Sequence, residues 1–362
     1  MYTVDNFING KSDSTSSKSS KIINPSYGKD IGEVLYASKE SANTAINAAS
    51  EAFKTWSKTG MSYRAELILK FRQGVIDKSS EIVDICIKEA GKTKPDAEAE
   101  LDRAIQALTH ASGIQHFYPA HISRNVAGNI DIADMRYPIG VVAGVGPFNF
   151  PILIPILHSS MALVTGNTHI AKPSEKVPSI SRLYADIYKD VGLPDGCYNV
   201  INGGKDIVEY IVSHQKVDGL AFIGSTNAAR SLKSLGVKNN TKVQALGGGK
   251  NHMIVLPDAD LDMAADAAVS ASFGAAGQRC MAVSVVVAVG DIADELVSKI
   301  KERIPNIKMG VTDNNDTELG PVISKDNKDR ICSFIESAEP EGATVLVLSL
   351  IHISEPTRLR SI

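Results

Sequence analysis

The 362-residue sequence lacks the features that would export it or anchor it in a membrane. Residues 1–21 contain neither the apolar core of a secretory signal nor an arginine-rich amphipathic presequence. The most apolar segment, residues 146–164, is interrupted by prolines and a histidine, whereas a membrane span needs roughly 20 largely uninterrupted apolar residues. We therefore expect a soluble, cytoplasmic protein.

Cysteine is scarce and charge is balanced. The four cysteines are widely spaced with no CxxC pair, which favours reduced thiols when no signal peptide is present. The eight histidines show no HxxxH spacing, so we expect no metal site. A net charge of −3 gives no reason to expect nucleic acid or an anionic membrane as a partner. The chain is long enough for two domains.

The middle of the chain alternates between short apolar and longer amphipathic segments. "GVVAGVGP", "THIAKPS", "YNVINGG" and "GLAFIGST" predict strands, and the segments that follow them predict helices. Such alternation is typical of an α/β fold with a parallel sheet. Before it, Ser/Lys-rich residues 11–21 predict a loop, residues 38–118 predict several helices, and residues 119–135 predict a β-arm. We expect a domain change near Val243.

One cysteine lies in a sequence context that is typical of a catalytic nucleophile. In "FGAAGQRCMAVSVVVAV", Cys280 lies between a predicted tight turn, permitted by Gly274 and Gly277, and an apolar strand. Arg279 precedes it directly, and a thiol beside a positive charge forms a thiolate readily. A free cysteine is, however, most often a small buried residue. The local context alone leaves both interpretations open.

Three further motifs end predicted strands, where ligands bind in open α/β sheets. Asn149 in "GPFNFP" could donate to a developing oxyanion, or simply bond its own turn. Lys172 in "AKPSE" could bond a ribose hydroxyl or a phosphate, whereas Glu175 and Lys176 suit the charged first turn of a helix. Ser225 in "FIGSTNAAR" opens a helix whose N-terminus would suit a pyrophosphate. Each signal is weak by itself.

The segment "LGGGKNH" resembles half of a Walker A motif. Asn251 follows Lys250 where Ser or Thr would be needed, and Gln244 stands where the upstream glycine would be. We therefore expect no P-loop.

The order of GPFNFP, AKPS, FIGST, GGGK and FGxxGQRC resembles the aldehyde dehydrogenase superfamily, from "FINGK" to about Val347. "VGPFNFP", "GKNH" and "GQRCMA" are similar to its CoA-acylating branch, which acts on methylmalonate and malonate semialdehyde. The resemblance implies NAD as cofactor, CoA as co-substrate and a homodimer or homotetramer for the full-length protein. It also implies a Rossmann-type NAD-binding domain (1–118 and 136–243), an oligomerisation β-arm (119–135) and a partial α/β catalytic domain (244–347).

The resemblance also assigns roles to residues. Cys280 matches the nucleophile, and Asn149 matches the oxyanion donor. Arg103 and Arg279 match arginines that bind the substrate carboxylate, for which the planar guanidinium is well suited. The positions that match cofactor contacts are Gly146, Phe148, Lys172, Glu175, Lys176, Ser225 and Gly247.

One position departs from the hydrolytic members of the superfamily. These have "ELGGK", whose glutamate activates water, and Leu246 stands at that position here. Leucine cannot accept a proton, so we expect CoA to take the acyl group, giving propionyl-CoA or acetyl-CoA with loss of CO2. The alternatives are a hydrolytic NAD-dependent enzyme for another carboxylated aldehyde and an inactive NAD-binding remnant.

Residues 348–362 do not continue the preceding pattern. Their back-translation resembles a DNA-library adapter, so we expect them to be foreign and the natural sequence to continue past about Val347. On this view the chain as it stands is poorly folded or inactive. The segment "EGATVLVL", residues 341–348, predicts a strand.

Overall fold

The computed structural model describes residues 1–16, 18–118 and 120–347, which form two compact units. The first unit comprises Met1–Lys21, Gly32–Ile82 and Glu100–Gly247, and the second comprises Ile22–Ile31, Val83–Ala99 and the described residues from Gly248 onward. The change after Gly247 lies close to the predicted change near Val243. Residues 22–31 and 83–99 belong to the second unit, although the predicted boundaries put them in the NAD-binding domain. The functional assignment of each domain stays a prediction, and residues 348–362 lie outside the described residues.

The strands are short, and all α-helices except Ile114–Phe117 are longer than any strand. The strands are β1 (Tyr2–Val4), β2 (Asn6–Ile8), β3 (Lys11–Asp13), β4 (Ser19–Asn24), β5 (Lys29–Leu35), β6 (His121–Ser123), β7 (Ile132–Asp134), β8 (Val141–Val145), β9 (Thr168–Lys172), β10 (Tyr198–Val200), β11 (Gly219–Ile223), β12 (Lys242–Leu246), β13 (Asn251–Val255) and β14 (Val283–Ala288). The helices are α1 (Lys39–Trp56), α2 (Met61–Asp77), α3 (Ser79–Ala90), α4 (Lys94–Ser112), α5 (Ile114–Phe117), α6 (Leu153–Val164), α7 (Ser179–Asp190), α8 (Lys205–Ser213), α9 (Thr226–Lys238), α10 (Leu261–Phe273), α11 (Ala293–Arg303) and α12 (Lys325–Ala338). Over the described part of the chain, none of these helices has the length and apolarity that crossing a bilayer requires.

The first unit is built on a seven-stranded sheet with the order β12-β11-β8-β9-β10-β2-β3. The five strands from β12 to β10 are parallel, whereas β2 and β3 join antiparallel at one side. The chain runs outward from β8 to β9 and β10, then returns to the other side of β8 for β11 and β12. The predicted α/β class with a parallel sheet is confirmed, and the direction of winding reverses between β8 and β11. That reversal is the topological switch point of a Rossmann-type sheet.

The core of this unit lies between the sheet and its helices. Small buried residues on α1 (Ala42, Ala45 and Ala49) let the helix approach the sheet closely, and Thr168 of β9 donates to the carbonyl of Ala49 at 3.0 Å. The helix begins after a serine cap, since Ser38 accepts a hydrogen bond from the Ser41 amide at 3.0 Å, and residue 38 is where the predicted helical region starts. The predicted helix is confirmed.

The loop predicted for residues 11–21 is wrong in part, because β3 and the start of β4 lie there. β2 and β3 form a hairpin in which Phe7 pairs with Ser12 and Ile8 with Lys11. Its turn consists of Asn9 and Gly10, with φ of 51° and 76°. Asn-Gly is the preferred pair for a two-residue hairpin turn with left-handed backbone. Three-residue strands show too little alternation to be recognised among serines and lysines.

The predicted β-arm contains a hairpin of β6 and β7, in which Ile122 pairs with Ala133. Its apolar side chains are unusually accessible, with Ile122 70% exposed and Ile132 55% exposed. Its role in oligomerisation stays a prediction.

In the second unit, β13 and β14 pair in parallel and pack with α10 and α11. Val255, Ala264, Ala265 and Leu296 form its small core. The strand predicted for residues 341–348 is wrong over its described part, because residues 341–347 contain turn and irregular structure. A valine-rich segment becomes a strand only where a partner strand pairs with it, and the described residues supply none at this position.

Candidate active site

The predicted cofactor residues lie in the first unit, where neighbouring parallel strands end. Gly146 follows β8, Lys172 ends β9, Ser225 follows β11 and Gly247 follows β12. The sheet register pairs Val145 with Lys172 in one pair of strands and Ile223 with Leu246 in another, so these ends form one edge. The sheet therefore brings the cofactor candidates to the edge where ligands of open α/β sheets bind.

Lys172 is a buried cation at this edge. It is 5% exposed, and its Nζ lies 3.3 Å from Oε2 of Glu175. Burial lowers the pKa of Lys172 from its ordinary value, and the neighbouring Glu175 carboxylate opposes that shift. An ammonium has three donors, so donors remain for a hydroxyl or phosphate oxygen after the contact with Glu175.

The loop after β8 carries Phe148 and Asn149. The ammonium of Lys176 lies 5.7 Å from the centroid of the Phe148 ring, which is within cation–π range. Asn149 is half-buried in the bend that follows. Phe150 accepts a hydrogen bond through its carbonyl from the Ile154 amide at 3.2 Å, which leads the loop directly into α6. The short path from β8 to α6 fixes both predicted residues near the start of that helix.

Glu100 supports the same loop and was missed from the sequence. Its Oε1 accepts hydrogen bonds from the amides of Ile152 and Leu153, each at 2.8 Å, and the residue is 3% exposed. The amides at a helix N-terminus lack partners within the helix, and a carboxylate there also interacts favourably with the helix dipole. The sequence feature that could have indicated this role is a glutamate among the apolar positions Ala97, Leu101 and Ala104 of α4, which are buried.

Ser225 and Gly247 lie at the start of α9. Ser225 is its N-cap, and its Oγ accepts from the Ala228 amide at 3.3 Å. A Cβ on Gly247 would lie 3.0 Å from Cα of Thr226, so glycine allows the end of β12 to approach this helix closely. A helix N-terminus, a buried lysine and a close backbone approach together fit a dinucleotide.

Cys280 lies in the second unit, on a turn between α10 and β14. The turn is closed by the Ala282 amide, which donates to the carbonyl of Arg279 at 3.2 Å. The Cys280 side chain is exposed, so its thiol is accessible to a reagent. Nδ2 of Asn251 donates to the carbonyls of both Cys280 and Ala282 at 2.9 Å. The turn therefore presents the thiol while its backbone is fixed by a side chain of β13.

Gly274 and Gly277, which precede Cys280, are required for different structural reasons: one for its backbone conformation and the other for space. Gly277 has φ of 70°, as a tight turn requires, and it follows Ala275 and Ala276 in the same left-handed region. Gly274 has an ordinary φ of −50°. A Cβ there would lie 2.5 Å from Cζ of Arg279, so Gly274 makes room for the guanidinium.

The two candidate carboxylate-binding arginines lie in different units. NH2 of Arg279 lies 2.5 Å from Oδ1 of Asp96, a pairing that the sequence did not suggest because 183 residues separate the two. Arg103 is exposed on α4 in the first unit, and its NH1 donates to Oε1 of Gln106 at 3.0 Å. Among the described residues, no group of three or more His, Cys, Asp or Glu side chains is arranged to hold a metal ion.

Comparison with known proteins agrees with this architecture. Residues 12–355 match the model of the aldehyde dehydrogenase family, and the chain belongs to that family. It is 39% identical to malonate-semialdehyde dehydrogenase 3 of Geobacillus kaustophilus, over 95% of this chain and 71% of the relative. The predicted family and fold are confirmed.

Two solved structures show the same fold. The crystal structure of methylmalonate-semialdehyde dehydrogenase from Oceanimonas doudoroffii superposes with a TM-score of 0.94 at 38% identity, covering 98% of this chain and 73% of that one. A Sinorhizobium meliloti protein, assigned as a methylmalonate-semialdehyde dehydrogenase and solved with NAD, gives a TM-score of 0.92 at 37% identity, covering 96% and 71%.

Proposed function

We propose that this protein is an NAD-dependent, CoA-acylating dehydrogenase of methylmalonate semialdehyde and malonate semialdehyde. The observation that carries the proposal is an exposed thiol, Cys280, adjacent in sequence to Arg279, whose guanidinium binds the carboxylate of Asp96 at 2.5 Å. A substrate that carries both an aldehyde and a carboxylate needs two such groups. The thiol reacts with the aldehyde, and the guanidinium binds the carboxylate. The similarity to malonate-semialdehyde and methylmalonate-semialdehyde dehydrogenases supports the same substrate class.

In the proposed first step, Sγ of Cys280 attacks the aldehyde carbon and a carbon–sulfur bond forms. The side-chain amide of Asn149 and the backbone N–H of Cys280 donate to the resulting oxyanion. Loss of one such donor costs on the order of 3 kcal/mol of transition-state stabilisation. NAD+, when bound, supplies the hydride acceptor. The acyl group then remains on Cys280 as a thioester.

In the first unit, the proposed cofactor residues divide by chemistry. Lys172 donates to a ribose hydroxyl or a phosphate, and Glu175 holds that ammonium in place. Ser225 and the N-terminus of α9 receive the pyrophosphate. Gly146, Phe148, Lys176 and Gly247 shape the remaining surface, with Lys176 fixing Phe148 through its cation–π contact.

The second step transfers the acyl group to CoA. The thiolate of CoA attacks the thioester carbon, the bond to Cys280 breaks, and the enzyme thiolate is regenerated. Leu246, 49% exposed at the end of β12, offers no base to activate water. The substrate carboxylate leaves as CO2, and the carbon that carried it takes up a proton. Arg279 and Arg103 bind that carboxylate until it leaves.

NADH absorbance tests this function. After the protein is mixed with NAD+ and malonate semialdehyde, a single-turnover burst without CoA and steady turnover with CoA are expected. Cys280→Ser should abolish both, and Cys332→Ser, which removes another thiol of the second unit, should preserve both. Steady turnover without CoA would contradict the acylating mechanism, and no NADH under either condition would contradict the function and favour the inactive NAD-binding remnant.

We further propose that the protein works as a homodimer or homotetramer in the cytoplasm. The exposed isoleucines of the β6–β7 hairpin, Ile122 and Ile132, support a self-contact through this arm. The described cysteines form no disulfide, which supports a reducing compartment. Light scattering of the Ile122→Lys, Ile132→Lys double variant should give a monomer mass, and an unchanged mass would argue against the arm.

A further inference from the structure

We infer that Asn251 is a positioning residue for the turn that carries Cys280. The inference rests on the proposed function, in which the thiol and the backbone N–H of Cys280 both act on the aldehyde. Asn251 is the residue that makes "LGGGKNH" unlike a P-loop, and no role in cofactor binding accounts for it.

The geometry fixes the peptide groups on both sides of Cys280. The carbonyl of the Cys280–Met281 peptide accepts from Nδ2 of Asn251 at 2.9 Å. The carbonyl of the preceding peptide, that of Arg279, accepts from the Ala282 amide at 3.2 Å. The second hydrogen bond of Asn251, to the carbonyl of Ala282 at 2.9 Å, ties the end of the turn to the same side chain.

An outside constraint is needed because the turn is conformationally weak by itself. Ala275, Ala276 and Gly277 precede it with left-handed backbone, a conformation that is unfavourable for alanine. Asn251, by contrast, belongs to β13 and pairs with Val283 of β14, just before a shift in register between Asn251 and His252. A Cβ on Gly249 would lie 3.1 Å from Oδ1 of Asn251, so this glycine leaves room for the amide.

The side-chain amide of Asn251 has the donors needed to bind two carbonyl groups of the turn. A side-chain amide has two N–H donors, and two carbonyl oxygens accept here. A serine or threonine hydroxyl has one donor, and an ionised aspartate has none. Asparagine is therefore the small side chain that can hold both carbonyls at once.

The N–H of Cys280 belongs to the peptide whose carbonyl is that of Arg279. If the turn loses its support, rotation of this peptide turns the N–H away from the position where an oxyanion would form. Hydride transfer should then slow while the binding of NAD+, proposed for the first unit, is unaffected. This separation distinguishes positioning from a general loss of structure.

The test compares Asn251→Asp and Asn251→Ser with Asn306→Asp in the full chain. Asn306 donates to the carbonyl of Glu302 at 2.8 Å in the same unit, so the control loses a comparable hydrogen bond elsewhere. Hydrogen–deuterium exchange of residues 279–282 and the rate of the NADH burst are measured, together with the Kd of NAD+. For Asn251→Asp, we expect exchange about tenfold faster and a burst about tenfold slower, equivalent to about 1.4 kcal/mol, with the Kd unchanged. Asn251→Ser should lie between this variant and the unmodified protein.

Exchange or burst rates in both Asn251 variants that match those of Asn306→Asp would overturn the inference. Faster exchange with an unchanged burst would also overturn it, because the turn would then be ordered without effect on the chemistry. If the unmodified chain forms no NADH, the proposed function fails, and the exchange measurement alone then decides whether Asn251 orders the turn.

Discussion

Asp96 holds the guanidinium of Arg279 in the second unit, with 2.5 Å between Oδ1 and NH2 and side chains that are 20% and 31% exposed. The guanidinium lies over Gly274, where any larger residue would collide with it. Because the fork of arginine has five donors, one carboxylate does not exhaust it. Asp96 therefore keeps Arg279 in one orientation and leaves other N–H groups for a second carboxylate.

Asp96→Asn should weaken recognition of carboxylated aldehydes specifically. A charged hydrogen bond is worth about 1.5–3 kcal/mol, and partial exposure reduces this, so we expect KM for malonate semialdehyde to rise about fivefold. KM for propionaldehyde, which has no carboxylate, should stay the same. Steady-state kinetics with both aldehydes provides the check.

The matched control is Asp326→Asn, since Asp326 occupies the first turn of α12 as Asp96 occupies that of α4. Both variants remove the same interaction with a helix dipole. Equal increases of KM for both aldehydes in Asp96→Asn would count against a role in specificity.

Leu246→Glu should introduce turnover that does not need CoA. The position is 49% exposed, so a carboxylate can be accommodated in contact with water and can accept a proton from it. General-base catalysis typically contributes about 10²–10⁴-fold, and we expect CoA-independent NADH formation to rise at least about tenfold. Leu246→Gln, with similar size and no base, is the control. If the two variants behave alike, Leu246 is not what prevents hydrolysis.

The buried His169 and the half-buried His158 should make the first unit sensitive to acid. Burial lowers the pKa of His158 to about 4 and that of His169 to about 3, and neither ring nitrogen of His169 has a hydrogen-bond partner among the described residues. Below their ordinary pKa of about 6.5 the unfolded chain binds more protons than the folded one, so the free energy of unfolding falls as pH falls. Above about pH 6.5 this contribution to stability is fully present.

Urea unfolding at pH 7.5, 6.0 and 5.0 measures this loss. Each proton taken up on unfolding contributes a slope of about 1.4 kcal/mol per pH unit. His169→Gln should have a smaller slope than the unmodified protein, whatever its absolute stability. An identical slope in His169→Gln would show that another group titrates.

Glu100→Ala should destabilise the first unit. It removes the acceptor from two amides at the start of α6, and buried unsatisfied donors cost about 1–3 kcal/mol each. We expect the free energy of unfolding to fall by about 3 kcal/mol, as measured by urea denaturation. Glu98→Ala, an exposed position on the same helix, should change it by less than about 0.5 kcal/mol. Equal losses in the two variants would refute the capping role.

The elements predicted well are those whose signal is local. Ser38 and the apolar spacing after it mark α1, and the turn before Cys280 is marked by its glycines. The hairpin of β2 and β3 is not predicted from the sequence, because each strand has only three residues. The segment "EGATVLVL" has the composition of a strand, yet pairing depends on distant residues that composition does not report.

In the candidate site too, residues in short motifs could be predicted from the sequence, whereas partners distant in the sequence could not. The order of motifs predicts Cys280, Asn149 and Lys172 as site residues, because each motif is a short continuous segment. The residues that orient them are distant in sequence: Asp96 is 183 residues from Arg279, and Glu100 is 52 from Ile152. Such partners become visible only when the chain is folded.

The second unit combines segments from the beginning and the end of the sequence, and this affects the order in which the protein folds during synthesis. Ser26 hydrogen-bonds to Thr312 at 2.9 Å, and Tyr27 to Asp313 at 2.6 Å, across 286 residues of sequence. At a synthesis rate of about 5–20 residues per second, residues 22–31 leave the ribosome roughly 15–60 s before those partners. During that interval this early segment is available to chaperones and to other nascent chains. The second unit can form only late in translation, when its last segment emerges.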